Sequence, residues 1–411
     1  MLVIMRLMLF LALFVTVSSA QERDPDRLLN DAIQAQQRGD YQSAITEYHE
    51  LLKLRPDDVE AKVNLGAALL NGAIQAQRRG DYQSAITEYR ELLKLRPDDV
   101  EAKVNLGAAL AHVSQFDEAI AMYRSALPSL KDKNPVLLNL GLAYYKKGDL
   151  ANAREQFAAL HQSAPSNVQA AILLADTEIK LGDAESASGM LEPLEEANSR
   201  NSDFEYVLGL AFIKSGHRRE GIPRMEKAGE LAKSGDAYML AGATLMDLNE
   251  FEQARHDLET ALRLAPNLHG LHTLVGMARD KTGDQKEAEP AFRLAIKENP
   301  DDFEANLYLG ALLYKQRQIE EAKVYLDHAV KLKPTDSMAR YESGMLKSTS
   351  GEYEAAAREL EGVVKDNPDW LEPHVELASL YYKLHRPSDG AKERAIVDRL
   401  TAEQQAKGPG K

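Results

Sequence analysis

The chain has 411 residues, of which 44% are hydrophobic and 28% charged, a composition typical of a folded protein. Its 64 acidic and 50 basic residues give a formal net charge of -14, which argues against a general affinity for nucleic acid or anionic membranes. Cysteine is absent, so disulfides, thiolate zinc sites, iron–sulfur clusters and a cysteine nucleophile are excluded.

The first twenty residues have the three-part layout of a secretory signal peptide. Arg6 supplies a positive charge, residues 7–17 are apolar, and residues 18–20 are small. The apolar run is shorter than the roughly 20 residues of a membrane-spanning helix. We therefore expect a signal peptide at residues 1–20, a mature chain from about Gln21, and export to the periplasm or the outside of the cell. An N-terminal membrane anchor is the alternative.

Three columns of residues recur at intervals close to 34 through the rest of the chain. One column holds a small residue, a second holds a small residue twelve places earlier, and a third holds a proline twelve places later. The first column is Ala44, Ala85, Ala119, Ala153, Ala187, Gly221, Ala254, Ala288, Ala322, Ala356 and Gly390. A repeat of this length predicts an array of supersecondary units that bury their apolar faces against each other.

Each period predicts two antiparallel helices. Gly-Asp pairs such as 39–40 and 148–149 suit the turn between them, because glycine adopts the left-handed conformation and aspartate caps the next helix. The proline ends the second helix, since it cannot continue one from inside. We expect the two small columns to face each other where the helices cross, with Gly107 opposite Ala119.

These residues resemble the tetratricopeptide repeat family. The Leu-Gly pairs such as Leu106-Gly107, the aromatic residues near the turn such as Tyr82, the alanine column and the final proline carry the resemblance, which covers about residues 24–400. It implies an all-α, right-handed superhelical solenoid of antiparallel helix pairs over residues 21–400, with about eleven units. It also implies a concave groove, lined by the first helices, that binds a partner.

Residues 30–70 and 71–111 are identical at 37 of 41 positions, a near-duplication longer than one period by seven residues. Seven residues are about two helical turns, so a first helix can lengthen near residues 70–77 and keep its face. The alternative is a loop at Asn71-Gly72, because glycine weakens a helix.

Other departures from the pattern predict irregular units near residues 190–235. Three prolines fall inside second helices and are expected to bend or open them, namely Pro193, Pro223 and Pro290. We expect a capping helix at about residues 388–403 and a disordered tail at residues 404–411.

No catalytic constellation with usable spacing occurs in the sequence, so we expect no enzyme activity and no cofactor. His269 and His272 are the best metal candidates, but no third ligand is evident, which favours a structural histidine over a metal site.

The inner positions of the first helices are rich in apolar, aromatic and methionine side chains, which suit an apolar helix or an extended peptide. The predicted groove residues are Tyr206, Met239, Met277, Tyr314, Tyr341 and Met345. The alternative is that neighbouring repeats bury the same rows.

A column of lysines ends many of the first helices. It consists of Lys146, Lys180, Lys214, Lys281, Lys315 and Lys383. Compensation of the helix dipole is one interpretation. The other is a basic strip that attracts an acidic segment or an anionic glycan.

The sequence thus predicts a non-catalytic scaffold or adaptor in the bacterial envelope, which binds protein or peptide and is not inserted in the membrane after cleavage of the signal. The alternative function is an adaptor in envelope polysaccharide synthesis or export, or in the assembly of a membrane machine.

Overall fold

The computed structural model describes residues 24–407, so the predicted signal peptide lies outside the described residues. The chain divides into two compact units, Met1–Thr177 and Glu178–Lys411, called here the N-terminal and C-terminal units. Within the described residues every regular element is helical, which confirms the predicted all-α solenoid of helix pairs.

The helices that begin in the N-terminal unit are α1 (Pro25–Gln37), α2 (Tyr41–Leu54), α3 (Val59–Arg78), α4 (Tyr82–Leu95), α5 (Val100–His112), α6 (Phe116–Ala126), α7 (Asn134–Lys147), α8 (Leu150–Ser163) and α9 (Val168–Lys180). Those of the C-terminal unit are α10 (Ala184–Leu191), α11 (Glu195–Asn198), α12 (Ser202–Lys214), α13 (Arg218–Ala232), α14 (Gly235–Asp247), α15 (Phe251–Leu264), α16 (Leu271–Lys281), α17 (Gln285–Glu298), α18 (Phe303–Lys315), α19 (Ile319–Leu332), α20 (Ser337–Thr349), α21 (Tyr353–Asp366), α22 (Leu371–Lys383) and α23 (Pro387–Lys407).

The turn inside each pair places a residue with positive φ at one equivalent position. The column is Gly39, Gly80, Ser114, Gly148, Gly182, Gly216, Asn249, Gly283, Arg317, Gly351 and His385. The aspartates at positions 40, 81 and 149 follow the glycine and accept a hydrogen bond from a backbone N–H in the first turn of the next helix. The predicted Gly-Asp turn is therefore confirmed, although Asp284 makes no such bond.

The glycines of the small column face a large side chain in most pairs, whereas Gly209 faces Gly221, its predicted partner, since a Cβ added at Gly209 would lie 3.0 Å from the carbonyl oxygen of Gly221. A Cβ added at Gly107 would lie 2.7 Å from the ring of Tyr123, and one added at Gly310 would lie 2.7 Å from Cγ of Leu326. The expected pairing of Gly107 with Ala119 is thus wrong as a nearest contact, because each of these two glycines makes room for a large side chain sixteen residues further on. The alanine column is nevertheless fully buried, as at Ala119.

Helix α3 runs without a break through Asn71 and Gly72, so the structure has the lengthened helix and not the loop. A Cβ at Gly72 would lie 2.4 Å from Oε2 of Glu88 and 3.2 Å from Cβ of Tyr41. Asp31 stands at this position in the first copy of the duplication, where it is exposed. The second copy thus has glycine in place of aspartate at the position where neighbouring helices approach each other closely.

The prolines inside second helices have different outcomes. Pro193 lies in a short 3-10 turn between α10 and α11, which confirms an opening there. Helices α13 and α17 continue through Pro223 and Pro290, so the expected opening is wrong at those two sites, and a bend stays a prediction. Helix α13 ends at Ala232, and the following residue, Lys233, has a φ of 53°.

The last helix is longer than predicted. Helix α23 begins at Pro387 and continues to Lys407. The expected disordered tail at residues 404–411 is therefore wrong for residues 404–407, whereas residues 408–411 lie outside the described residues.

A buried carboxyl group of α15 lies beside a half-buried one of α13 in the C-terminal unit. Asp257 is 3% exposed, and its Oδ2 has no hydrogen-bond partner among the described residues. Burial raises the pKa of Asp257, and the neighbouring carboxyl of Glu226 raises it further. An aspartate carboxyl of the unfolded chain titrates near pH ~4. Above that pH, Asp257 therefore keeps a proton in the folded state that it loses in the unfolded state.

This pair predicts that the two helices lose stability as the pH rises from about 5 to about 8, because the unfolded chain then binds fewer protons than the folded one. Asp257→Asn mimics the protonated carboxyl, so it should stabilise the protein at the higher pH by on the order of 2 kcal/mol and have a smaller effect at the lower pH. Native-state hydrogen exchange of α13 and α15, corrected for intrinsic rates, measures the difference. An equal effect of the substitution at both pH values would contradict the prediction.

Candidate partner-binding face

Three equivalent cavities lie between the first helices of successive pairs in the N-terminal unit. Their volumes are about 380, 430 and 310 Å³. Ile33, Ile74 and Ala108 occupy matching places in the three walls, separated by 41 and 34 residues. The repeat thus presents the same recess three times on one face.

A buried tyrosine lines each cavity. The hydroxyl of Tyr48 donates a hydrogen bond to Oε1 of Gln36 at 2.9 Å, and that of Tyr89 donates to Oε1 of Gln77 at 3.1 Å. In the third cavity, burial raises the pKa of Tyr123 to about 12. The phenols therefore stay neutral at physiological pH.

Asparagine side chains complete the three cavities at one equivalent position. Asn64, Asn105 and Asn139 each come from the first helix of the following pair, and each is half-buried. An amide both donates and accepts hydrogen bonds, so this column provides the same neutral polar group in each of the three recesses. Sequence reasoning overlooked this column, although its recurrence at intervals of 41 and 34 residues is visible in the sequence.

Basic side chains line the edges of the second and third cavities. The first cavity has Gln37 at a position where the second has Arg78 and the third has His112. The third cavity also includes the exposed Lys146 of the predicted basic strip. The ring of His112 stacks on Tyr82 with centroids 4.4 Å apart and planes 9° apart. The second and third cavities are therefore suited to neutral or acidic groups.

The six predicted groove residues lie in the C-terminal unit, and all are half-buried. Met277 and Tyr314 pack against the same core cluster. Tyr206 and Met239 pack against two further clusters. Neighbouring repeats thus use part of each side chain, as the alternative interpretation expected, while part of each stays accessible.

Polar contacts between pairs hold some of these positions in place. The hydroxyl oxygen of Tyr314 lies 2.8 Å from Oγ1 of Thr349. The same hydroxyl donates a hydrogen bond to the carbonyl oxygen of Met345 at 3.4 Å. Tyr341 packs its ring against Trp370. The structure therefore brings Tyr314 and Met345 together, whereas the six residues as a set form no common cluster, and their role in binding stays a prediction.

The six lysines of the predicted strip are all exposed, each in the last turn of its helix. Such a position is favourable for a cation because the carbonyl end of a helix carries partial negative charge. Among the described residues, Lys214, Lys281 and Lys315 form no ion pair, and Lys383 lies 5.0 Å from the centre of the Tyr353 ring. Their geometry fits dipole compensation, and it leaves the lysines accessible to an acidic group.

The two histidine candidates have different surroundings. Nδ1 of His272 lies 3.0 Å from Oε1 of Glu298, while His269 is exposed. Within residues 24–407, no group of three or more potential ligands is arranged to hold a metal ion. In the same range, no helix combines the length and apolar character needed to cross a bilayer.

Comparison with protein families gives the class of this fold. Models described as tetratricopeptide repeats match residues 36–72, 70–135, 144–210, 235–268 and 281–343. The chain belongs to the tetratricopeptide repeat family.

The similar proteins include subunits of large assemblies. Anaphase-promoting complex subunit 3 of Schizosaccharomyces pombe is 22% identical over 282 residues, which are 68% of this chain and 42% of that protein. Cellulose synthase operon protein C of Xanthomonas axonopodis is 27% identical over 161 residues, 37% of this chain and 10% of that protein. The crystal structure of the APC/C hetero-tetramer Cut9–Hcn1 matches with a TM-score of 0.44 and 13% identity, covering 92% of this chain and 94% of that one. This chain thus spans less than half the length of both curated relatives.

Proposed function

We propose that the protein is a non-catalytic adaptor that binds an extended segment of another protein along the first-helix face of its N-terminal unit. The observation that carries this proposal is the threefold repetition of a cavity with a tyrosine and an asparagine in matching places. Family membership supports protein binding as the general role, because tetratricopeptide repeats are interaction modules.

The repeat distance suits an extended chain. The first helices of successive pairs contact each other, and packed helices lie 8–10 Å apart, about the length of three extended residues. A segment crossing α1, α3, α5 and α7 can therefore place about one side chain in three over a cavity. The amides of Asn64, Asn105 and Asn139 can pair with its backbone groups.

We further propose that this adaptor works outside the cytoplasm as part of an envelope assembly. The signal-like segment at residues 1–20 supports export. A role in polysaccharide synthesis or export is the second candidate, which the partial similarity to cellulose synthase operon protein C favours. Fractionation of cells that express the full chain with a C-terminal tag tests export, which predicts a shortened protein in the periplasm or medium.

Site-specific photo-crosslinking followed by binding measurements tests the cavities. A photoreactive residue at Ile74, which lines the second cavity, is expected to capture a partner that the same residue at the exposed Thr87 of α4 does not capture. Substituting alanine for Asn64, Asn105 and Asn139 together should then weaken binding of the captured segment at least about tenfold, because each lost hydrogen bond costs about 0.5–1.5 kcal/mol.

Asn30→Ala is the matched control. Asn30 occupies the equivalent place on α1, where it is exposed and lines none of the three cavities. We expect this variant to bind as the unaltered protein does. Equal affinity of the triple variant and the unaltered protein would exclude the cavities as the binding site.

A further inference from the structure

The first-helix face of α20 and α22 has an open aromatic pair. The rings of Tyr341 and Trp370 lie with centroids 4.8 Å apart and planes tilted by 41°, and both residues are half-buried. Met338 of α20 and Val375 of α22, on the same two helices, are 47% and 49% exposed. Accessible aromatic faces attract a flat or cationic group, because the faces of the rings are electron-rich.

Three carboxyl groups on α20 and α22 are near enough to Tyr341 to act on its hydroxyl. Burial raises the pKa of the Tyr341 hydroxyl, and the negative charges of Glu342, Glu372 and Glu376 raise it further, so all three carboxylates act on this hydroxyl. Glu376 accepts a hydrogen bond from Oγ of Ser348 at 2.5 Å, which fixes its position. The aromatic pair is thus placed in a region of negative potential.

The basic side chains of α20 do not neutralise this region. Arg340 and Lys347 both contact Glu359, with nitrogen–oxygen distances of 3.3 Å. Lys315 of α18 acts on Glu342 and lowers its pKa, which burial raises. Among the described residues, Glu342 nevertheless makes no hydrogen bond or ion pair. Three carboxyl groups thus act on Tyr341, whereas Arg340 and Lys347 are held by Glu359 and Lys315 is the cation that acts on Glu342.

We propose that this face binds a basic segment of a partner protein, with an arginine side chain stacked on the Tyr341–Trp370 pair and paired with these carboxylates. Charge complementarity selects a basic occupant, and the aromatic pair selects arginine, whose planar guanidinium stacks on rings and forms forked hydrogen bonds with carboxylates. The site lies in the C-terminal unit and does not depend on what occupies the cavities of the N-terminal unit.

Fluorescence tests this proposal directly, because Trp370 is the single tryptophan of the chain. Titration of the full chain with a tetra-arginine peptide at low salt should change the Trp370 emission and reach saturation. A tetra-citrulline peptide, which keeps the shape and lacks the charge, should bind at least about tenfold more weakly. Added salt should weaken the binding of the arginine peptide, since part of the attraction is between exposed charges.

Matched variants separate the site from general attraction to an acidic protein. The double variant Glu342→Gln and Glu372→Gln should reduce the affinity at least about tenfold, and Tyr341→Leu should reduce it further by removing one aromatic face. Glu354→Gln removes an exposed carboxylate at the start of α21 and should leave the affinity unchanged. An unaltered Trp370 emission with the arginine peptide, equal titrations with the two peptides, or an equal loss in the Glu354 control would overturn the proposal. Circular dichroism of each variant checks that the helices are retained.

Discussion

Replacement of Phe292 by alanine is expected to destabilise helices α17 and α18 by about 3–5 kcal/mol. Phe292 is fully buried in the core cluster between these helices, and its ring lies 6.0 Å from that of Tyr308 with planes 9° apart. The Phe292 ring packs directly on the backbone of Gly276, where an added Cβ would lie only 2.6 Å from the ring. Since glycine has no side chain that could move into the space, removal of the ring leaves a cavity. Hydrogen exchange of the α17 and α18 amides should accelerate at least about 100-fold.

Phe292→Leu is the matched control for this substitution. The equivalent place holds Leu258 opposite Gly242 and Leu326 opposite Gly310, so the fold already accepts leucine below the glycine. We expect a cost of about 1 kcal/mol for this variant. The effect of either variant should be confined to neighbouring pairs, because a solenoid is stabilised mainly by contacts between adjacent units. Similar exchange rates in the alanine and leucine variants would contradict the proposed packing.

The repeat pattern predicted the helix pairs because spacing in sequence translates directly into position along each helix. The left-handed turn was predicted at Gly39 and Gly148, whereas Arg317 and His385 adopt the same conformation without a glycine to indicate it. Their backbone follows from the packing of the two helices that they join, so a local pattern does not reveal it.

The glycine contacts show where pattern reasoning falls short. Gly107 and Ala119 are both small, and sequence alone suggests that they meet at the helix crossing. The structure instead places Tyr123 over Gly107, because the long side chain reaches across the pair to the gap that glycine leaves. Which side chain fills a gap depends on the tilt and the separation of the helices, which are tertiary properties.

The candidate site was only partly predictable for a related reason. The rows of the first helices were predicted either to line a groove or to be buried by neighbouring repeats, and Tyr341 and Met345 are half-buried whereas Leu307 of the same rows is buried. The cavities beside Asn64 and Asn105 were missed, since they arise from the space between consecutive helices and not from the residues of one helix. The acidic surroundings of Tyr341 likewise come from two different helices.

Replacement of Lys227 by methionine is expected to destabilise the pair formed by α12 and α13 by about 3–5 kcal/mol, because it leaves a buried carboxylate without its cation. The side chain of Glu205 is completely buried, and Nζ of Lys227 lies 2.6 Å from its Oε1. Within the described residues neither carboxylate oxygen has a hydrogen bond, so the lysine charge is the main compensation for burial. Hydrogen exchange of α12 and α13 measures the loss.

The double variant Glu205→Leu and Lys227→Met shows whether the loss comes from the unpaired charge. Leu137 occupies the equivalent position on α7 and is 8% exposed, so an apolar residue of this size fits the repeat. Since apolar residues can replace a buried ion pair without loss, the double variant should be at least as stable as the unaltered protein. If the double variant were as unstable as Lys227→Met alone, packing of the lysine stem and not its charge would explain the loss. A smaller loss in Lys227→Met than about 1 kcal/mol would show that the carboxylate is stabilised by other means.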